Sequence, residues 1–343
     1  TVALTRPILV WTNTPANIID LADIYIRTIF WGIPFTLLYN VTSALMRALG
    51  DSKRPLYFLL CAGIINVILN LLFVIGFQMD VMGVAIATVI SETVSALLVL
   101  RCLVKEKGGI HLELRAMRID RKKMLQILRI GLPAGFQGVV FALSNVVIQS
   151  SVNIFGNIVV AGNSAAANLE GFVYMAMNAF YQTTLSFVSQ NYGAGEQKRI
   201  NRIVLLGEAC VIVTGTLLGN MVVFFGNDLL QIYSNNPEVI AAGMVRLHYI
   251  SMIYALCGIM DVMVGALRGI GYSIMPMIVS IVGVCVLRLI WLATVFQIPE
   301  FHKIETVYLS YPVTWILTSL VYIVFFVWIR IRSARKKSAP SAA

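Results

Sequence analysis

The chain has 343 residues, of which 59% are hydrophobic and 12% are charged, and it carries a formal net charge of +10. Soluble domains usually have about 25% charged residues. A mean hydropathy of +0.84 therefore excludes an ordinary water-soluble fold and predicts an integral membrane protein.

Long apolar runs recur from one end of the sequence to the other. A spanning helix needs about 20 mostly apolar residues, and these runs are too long and too uniform for the alternating strands of a membrane barrel. We therefore predict an all-α, polytopic bundle with about nine complete spanning helices. In chain order the runs cover residues 24–46, 56–77, 81–103, 127–155, 161–191, 203–225, 239–267, 276–296 and 307–331.

The basic residues show how the helices are oriented. Most of the 26 Lys and Arg residues lie in 47–54, 101–129, 198–202, 268 and 330–337, at every second helix end. By the positive-inside rule these ends and the C-terminus face the cytoplasm. Basic loops beside anionic headgroups account for the net charge without a nucleic-acid partner.

The sequence shows no recognisable motif for catalysis or cofactor binding. The five cysteines have no spacing typical of a metal site or a disulfide framework, and there is no nucleotide-binding or nucleophile motif. We predict no cofactor, no metal site and no enzymatic activity.

An internal repeat divides the sequence into related parts. Residues 44–55 (ALMRALGDSKRP) align with residues 265–276 (GALRGIGYSIMP), and 12–15 (TNTP) align with 234–237 (SNNP) at nearly the same offset. Both copies place an Arg on the basic side, so the repeat is parallel. Each copy is typical of a tight cytoplasmic turn, in which Gly permits a positive φ and Pro starts the next helix.

The repeat also predicts a larger parent protein. Three predicted helices precede Pro237, but only a short segment precedes Pro15. Symmetry then predicts a twelve-helix protein with two lobes, from which roughly 100 N-terminal residues are missing. The predicted parts are the rest of the N-terminal lobe (1–103, the end of the third helix and helices 4–6), a basic cytoplasmic linker (104–123), a C-terminal lobe (124–331, helices 7–12) and a cytoplasmic tail (332–343).

Three segments resemble the bacterial branch of the multidrug and toxic compound extrusion (MATE) family. They are residues 47–55 (RALGDSKRP), residues 189–195 (SQNYGAG) followed by Arg199, and residues 265–269 (GALRG). The resemblance implies a two-lobed transporter in the bacterial cytoplasmic membrane, here N-terminally truncated, which we expect to be a monomer. It would export amphipathic, often cationic, small molecules in exchange for Na⁺ or H⁺ by alternating access.

The resemblance also implies a cation site in the N-terminal part. Many MATE proteins form such a site from an Asp on the first helix, an Asn-x-x-x-Asp/Asn pair on the fifth and a Thr on the sixth. Asn66, Asn70 and Thr88 match the last two parts. Asn66 and Asn70 are four residues apart and share a helix face. The alternative is that these groups only form hydrogen bonds between helices.

A polar stripe marks the C-terminal part. Its members on two consecutive predicted helices are Gln137, Asn145, Gln149, Asn153, Glu170, Asn178 and Gln182. Such a stripe faces the protein interior or a water-filled cavity, so it lines a substrate or proton pathway or holds helices together. Glu170 is the carboxylate that would exchange a proton for a cationic substrate, unless it lies near the outer water interface.

Four further charged residues lie within predicted spans. Arg288 lies near the middle of 276–296, where an unpaired Arg is very costly, so we expect Asp261 or Glu170 as its partner. Asp261 would serve either in that ion pair or in the proton pathway. Glu92 and Glu208 lie nearer basic helix ends, and we expect them to pair with local Arg residues.

Three functions are consistent with these residues. A secondary multidrug antiporter is the leading hypothesis. A flippase for lipid-linked saccharides, on a related fold, would need several Arg residues around a pyrophosphate, and the sequence places only Arg288 clearly within the membrane. An intramembrane enzyme would need paired catalytic groups at one depth, for which only Asp261 and Glu170 are available.

Overall fold

A computed structural model describes residues 5–11, 18–106, 112–113 and 118–338, and every regular element in these ranges is helical. The repeat segment 12–15 and much of the predicted linker lie outside the described residues. The chain divides into two units, Thr1–Arg118 and Ile119–Ala343, and this boundary falls within the predicted linker 104–123. The exact limits of the two lobes stay a prediction.

The described residues of the first unit form four α-helices. They are α1 (Thr5–Trp11), α2 (Ile19–Ala48), α3 (Lys53–Leu71), which continues as a π-helical turn over Leu72–Gly76, and α4 (Asp80–Lys105). Side chains of α3 are largely exposed, whereas α4 buries a stripe of small residues that includes Ala85, Ser91 and Ser95.

Nine α-helices form the second unit as far as it is described, up to residue 338. They are α5 (Arg121–Asn153), α6 (Asn157–Gly193), α7 (Gln197–Phe224), α8 (Gly226–Gln231), α9 (Pro237–Ile250), α10 (Ala255–Gly269), α11 (Ile274–Ser280), α12 (Leu287–Ala293) and α13 (Ile304–Ser338). A π-helical segment, Ile281–Val286, joins α11 to α12, and a 3₁₀ turn, Ser251–Ile253, joins α9 to α10. Asp120 caps α5 and Asn236 caps α9 through their side chains, as these residue types commonly do.

All nine predicted runs lie in helices. Seven helical segments among the described residues are long and apolar enough to span a membrane by themselves. An eighth span is the pair Pro237–Ile253 and Ala255–Gly269, which bends by 47° between its halves. The run 161–191 lies in α6, which has 37 residues but is not among these seven segments. α13 also continues to Ser338, beyond the predicted start of the tail.

The two described copies of the repeated turn have the same backbone structure. Gly50 and Gly271 have φ values of +88° and +92°. The N–H groups of Gly50 and Asp51 donate to the carbonyls of Arg47 and Met46, and those of Gly271 and Tyr272 donate to Arg268 and Leu267. This double hydrogen bond is the Schellman motif that ends helices.

The segment 189–195 ends in the same way. Gly195 has a φ of +77°, and the next residue, Glu196, donates its N–H to the carbonyl of Asn191. All three segments that carry the sequence resemblance therefore end a helix through the same hydrogen-bonded turn.

Helices in the second unit pack with their backbones close together. A Cβ added at Gly219 of α7 would lie 2.0 Å from the carbonyl oxygen of Ser251, and one at Gly162 of α6 would lie 2.5 Å from that of Val239. The core between α6, α7, α10 and α13 contains fully buried Met177, Leu267 and Tyr322. This packing holds α6 and α9 in contact, and their polar side chains face each other.

Candidate functional site

A cavity of about 280 Å³ lies in the second unit among α5, α6, α9 and α13. Its polar lining comes from Asn145, Gln149, Asn163, Glu170 and Arg246, and its aromatic lining from Tyr254, Tyr311 and Trp315. Trp315 packs edge-to-face with both tyrosines, with ring centroids 5.5 Å from Tyr254 and 5.8 Å from Tyr311. One wall of the cavity is therefore aromatic and the other is hydrogen-bonding and charged.

Glu170 and Arg246 form a buried, two-pronged ion pair in this cavity. Nε of Arg246 donates to Oε1 of Glu170 at 3.0 Å, and Nη2 donates to Oε2 at 2.7 Å. Both residues are less than 10% exposed. Parallel hydrogen bonds between a guanidinium and a carboxylate are among the strongest in proteins, so the charge of Glu170 is neutralised within the protein.

Sequence reasoning missed Arg246 and Asn163, although signals for both were present. Arg246 is one of the few basic residues outside the cytoplasmic clusters, and it follows Pro237 by nine positions on an acid-bearing side. Asn163 precedes Glu170 by seven residues and so lies on the same face of α6. Two full turns separate Asn163 from Glu170, and the Arg side chain is long enough to reach both.

Asn163 joins the ion pair to the predicted polar stripe. Nη1 of Arg246 donates to Oδ1 of Asn163 at 2.6 Å, and the hydroxyl of Tyr308 donates to the same oxygen at 3.2 Å. Nδ2 of Asn163 donates to Gln149 at 3.1 Å, and Gln149 donates to Asn153 at 3.0 Å. A continuous network thus connects α5, α6, α9 and α13.

Arg288 is buried beside this network, and the expected partner is not there. Its exposed fraction is 4%, and within the described part of the chain no carboxylate forms an ion pair with it. Its Nη2 donates to Thr314 at 3.0 Å, whereas its Nε is buried without any hydrogen-bond partner. The prediction of Asp261 or Glu170 as partner was wrong, because Glu170 is bound by Arg246 and Asp261 lies near Arg268.

Tyr311 connects the two arginines. The guanidinium carbon of Arg288 lies 3.9 Å from the centroid of the Tyr311 ring, and that of Arg246 lies 5.7 Å from it. Cation–π contacts of this kind partly replace lost hydration. They do not cancel charge, so Arg288 adds a positive charge beside a cavity whose own lining holds one guanidinium and one carboxylate.

Gln137 and Asp261 belong to a separate polar cluster deeper in the second unit. Arg268 donates to Oε1 of Gln137 and to the hydroxyl of Tyr181, both at 2.8 Å. Asp261 is close to Arg268, but its Oδ2 is buried and accepts no hydrogen bond. The other two stripe residues are less enclosed, since Asn178 is half-buried and Gln182 is exposed.

The expectations for the two remaining acids were also wrong. Glu92 accepts a hydrogen bond from the hydroxyl of Thr36 rather than from an Arg. Both carboxylate oxygens of Glu208 are buried without a hydrogen-bond partner in the described structure. A helix end that is basic in sequence does not by itself place a guanidinium beside a given carboxylate, because the facing helix decides what each side chain meets.

The predicted cation-site residues in the first unit lie in one cluster. Nδ2 of Asn70 donates to Oδ1 of Asn66 at 2.9 Å, and Nδ2 of Asn66 donates to Oγ of Ser91 at 3.3 Å. Ser91 donates to the carbonyl of Thr88 at 2.8 Å, while the Thr88 hydroxyl donates to the carbonyl of Val84.

One acceptor in this amide cluster is free. Oδ1 of Asn70 is buried and has no hydrogen-bond partner. Amide and carbonyl oxygens are suitable ligands for hard cations. Among the described residues no group of three His, Cys, Asp or Glu side chains is placed to hold a metal ion, so a cation here would be bound by neutral oxygens. Ser91 was not predicted, although it follows Thr88 by one helical turn.

The chain is similar to a known protein family and to individual relatives. The family model described as MatE matches residues 1–72 and 133–294. The probable multidrug resistance protein YpnP of Bacillus subtilis is 32% identical over 80% of this chain and 62% of its own length. A protein named FAD transporter, from Shewanella oneidensis, is 26% identical over 89% of this chain and 68% of its own.

A solved structure shares the fold. The crystal structure of MATE in complex with MaL6 superposes with a TM-score of 0.88 and 19% identity, covering 98% of this chain and 75% of that chain. The chain thus spans about three quarters of this structural neighbour and 62% of the length of YpnP.

Proposed function

The chain belongs to the MatE family of multi-pass membrane transporters, and from this premise we propose that it is a secondary exporter of amphipathic small molecules. Export proceeds in exchange for Na⁺ or H⁺ by alternating access. Alternating access of this kind requires that the cation and the substrate differ in their relative affinities for the two conformational states.

The cavity in the second unit carries this proposal. It is lined by buried polar groups on long helices whose other faces are apolar. Polar and ionisable groups in a membrane interior are costly, and they commonly mark substrate or ion pathways. The mixture of an aromatic wall and a few hydrogen-bonding groups is typical of small-molecule sites.

Asp261 is the best-supported acid for coupling in the second unit. Its Oδ2 is buried without a hydrogen-bond partner, whereas both oxygens of Glu170 are occupied by Arg246. A carboxylate that no guanidinium holds in a hydrogen-bonded ion pair can bind a proton or a cation in exchange for substrate. We propose Asp261 for this role, and Glu170 for shaping the cavity.

The amide cluster of the first unit is proposed as the second place where a cation binds. The free Oδ1 of Asn70 supports this role, and Asn66 and Thr88 contribute oxygens close by. Neutral oxygens alone bind Na⁺ weakly, because most sites for hard cations include a carboxylate. The cluster would therefore act together with an acid.

The charge of the substrate is left open by the relatives. One is named for multidrug resistance and another is named FAD transporter, and FAD is an anionic molecule. That the exported compounds are cationic stays a prediction. Binding of a cationic compound needs a carboxylate at the substrate site that is not already held in an ion pair.

A flippase for lipid-linked saccharides is the alternative. Arg246 adds a second buried guanidinium to Arg288 and favours this function more than the sequence did. Its donors are already bound by Glu170 and Asn163, which leaves less for a pyrophosphate. The antiporter therefore remains the better supported function.

Efflux from cells that express the gene tests the proposal. Ethidium and 2-naphthoate would be loaded as a cationic and an anionic probe, with Asp261→Asn and Glu170→Gln beside wild type. We expect gradient-dependent efflux of at least one probe that stops when Na⁺ and proton gradients are collapsed, and that Asp261→Asn abolishes. No efflux of either probe from correctly inserted protein would contradict the proposal and place the flippase first.

A further inference from the structure

Arg288 is a buried charge for which the described residues provide no counterion. It lies on α12 with an exposed fraction of 4%, and its Nε makes no hydrogen bond to them. Its contacts in the described part of the chain include the hydroxyl of Thr314 and the face of Tyr311. Burying an uncompensated guanidinium is strongly unfavourable, so a negative charge from outside the chain would stabilise this arrangement.

The lining of the cavity contains one carboxylate and one guanidinium, and Arg288 lies outside this lining, against the ring of Tyr311. Glu170 neutralises only one guanidinium, that of Arg246. Tyr311 lines the cavity and lies within 3.9 Å of the guanidinium carbon of Arg288. In this low-dielectric setting the uncompensated charge acts on whatever occupies the cavity.

We infer that the cavity of the second unit binds small aromatic molecules that carry an anionic group, a carboxylate or a phosphate. This inference rests on the proposed function, because it names the substrate class of the proposed substrate site. The anionic group lies towards Arg288, and the aromatic body packs against Tyr254 and Trp315.

The size of the cavity limits the occupant. At about 280 Å³ it lies just below the range of about 300–1,000 Å³ in which drug-sized ligands bind. A molecule with one or two fused rings fits these dimensions, whereas a phospholipid with two acyl chains does not. We therefore commit to a small aromatic anion rather than a lipid headgroup.

A matched pair of probes tests the charge preference. 2-Naphthoate and 2-naphthylmethylammonium have the same ring system and opposite charge, and each would be titrated calorimetrically into the purified protein in neutral detergent. We expect the wild-type protein to bind naphthoate at least about tenfold more tightly, since close charge complementarity is worth well over one factor of ten. Equal affinity, or tighter binding of the ammonium compound, overturns the inference.

Variants locate the preference. Arg288→Gln should bring the two affinities to within about twofold, and Arg288→Lys should retain the preference because it keeps the charge. Arg202→Gln, at an exposed position of α7, is the matched control and should leave both affinities unchanged. A preference that persists in folded Arg288→Gln overturns the assignment.

Glu170→Gln keeps the test decisive if Arg288→Gln fails to fold. Replacing the carboxylate by an amide removes the negative charge beside Arg246 and frees one of the two donors that it binds, so naphthoate should bind several-fold more tightly, and a misfolded protein cannot produce that gain. Unchanged or weaker binding by folded Glu170→Gln contradicts the inference.

The binding titration tests the inference, and the efflux assay tests the proposed antiport, so the failure of one can be told from the failure of the other. A strong preference for naphthoate without any gradient-dependent efflux would support the inference and contradict the proposed antiport. Efflux of ethidium, with no preference for naphthoate in the titration, would support antiport and contradict the inference.

Discussion

The two units contain polar clusters of different chemistry. In the first unit the cluster of Asn66, Asn70 and Ser91 is made of neutral amides and a hydroxyl, joined by single hydrogen bonds of 2.9–3.3 Å. In the second unit Glu170 and Arg246 are fully charged and doubly hydrogen-bonded. The first cluster is suited to a weakly held cation, and the second fixes helices and sets the charge of a cavity.

Glycine positions differ in how closely a neighbouring helix approaches them. Gly219 of the second unit meets the backbone of another helix, whereas a Cβ added at Gly63 of α3 meets nothing within 4 Å. A charged network needs fixed geometry to offset its desolvation. Close approach of α6 to α9 at Gly162, where an added Cβ would lie 2.5 Å from the carbonyl oxygen of Val239, supports such geometry in the second unit.

The largest expected effect comes from breaking the buried ion pair. Arg246→Gln leaves Glu170 buried without a counterion, and we expect a loss of about 3–5 kcal/mol in the free energy of unfolding. The measurement is unfolding in mixed detergent micelles, with Arg202→Gln as the control. The double variant Glu170→Gln/Arg246→Gln should recover most of the loss, and equal losses in single and double variants would contradict this role.

A comparison of two glycines gives the next effect. Gly219→Ala places a methyl group 2.0 Å from the carbonyl oxygen of Ser251, and we expect a loss of about 1–3 kcal/mol because the backbones must separate. Gly63→Ala has free space and should gain up to about 1 kcal/mol, because Ala favours helix more than Gly does. If both substitutions gave the same change, the difference in packing between these two positions would be refuted.

A smaller effect is expected in the amide cluster. Asn66→Ala removes two hydrogen bonds, to Ser91 and from Asn70, each worth roughly 0.6 kcal/mol within a membrane. Stability should therefore fall by about 1 kcal/mol, while cation-dependent transport falls much more. A loss of stability without any change in cation dependence would assign Asn66 to structure alone.

The smallest effect involves a cytoplasmic turn. Partial burial raises the pKa of Asp51, but hydrogen bonds from the backbone and side chain of Arg54 outweigh it and hold the pKa below its ordinary value of 3.8. A carboxyl group whose pKa is lower in the folded than in the unfolded state stabilises the fold at any pH above the unfolded pKa. This contribution to stability is lost as the pH falls through the folded pKa. Melting temperatures of wild type and Asp51→Asn should differ slightly at neutral pH and converge near about pH 3, and a difference that persists in acid would contradict this.

Hydropathy and the repeat predicted most of the fold. The nine apolar runs all lie in helices, and the repeated segments around Gly50 and Gly271 form the same turn. Both features are local, because helix length and turn geometry depend on residues near in sequence. α6 is not among the seven spanning segments, but its length still covers the predicted run.

Partners of buried charges could not be predicted in the same way. Sequence position gives the depth of Arg288 and Glu170 along their helices, but not which helix each one faces. Glu170 binds Arg246, which is 76 residues away, and the contact depends on close packing of α6 against α9. Asn66 and Asn70 were predicted together correctly because both lie on one helix face.

The central claim is that the first unit supplies a cation site and the second unit sets the charge of the substrate. The most direct test is transport of the two naphthalene probes by proteoliposomes under imposed Na⁺ or proton gradients. We predict that Asn70→Ala weakens the gradient dependence and leaves the preference for naphthoate unchanged, while Arg288→Gln removes that preference and leaves the gradient dependence intact. If either variant alters both properties equally, or if no gradient affects transport, the claim is wrong.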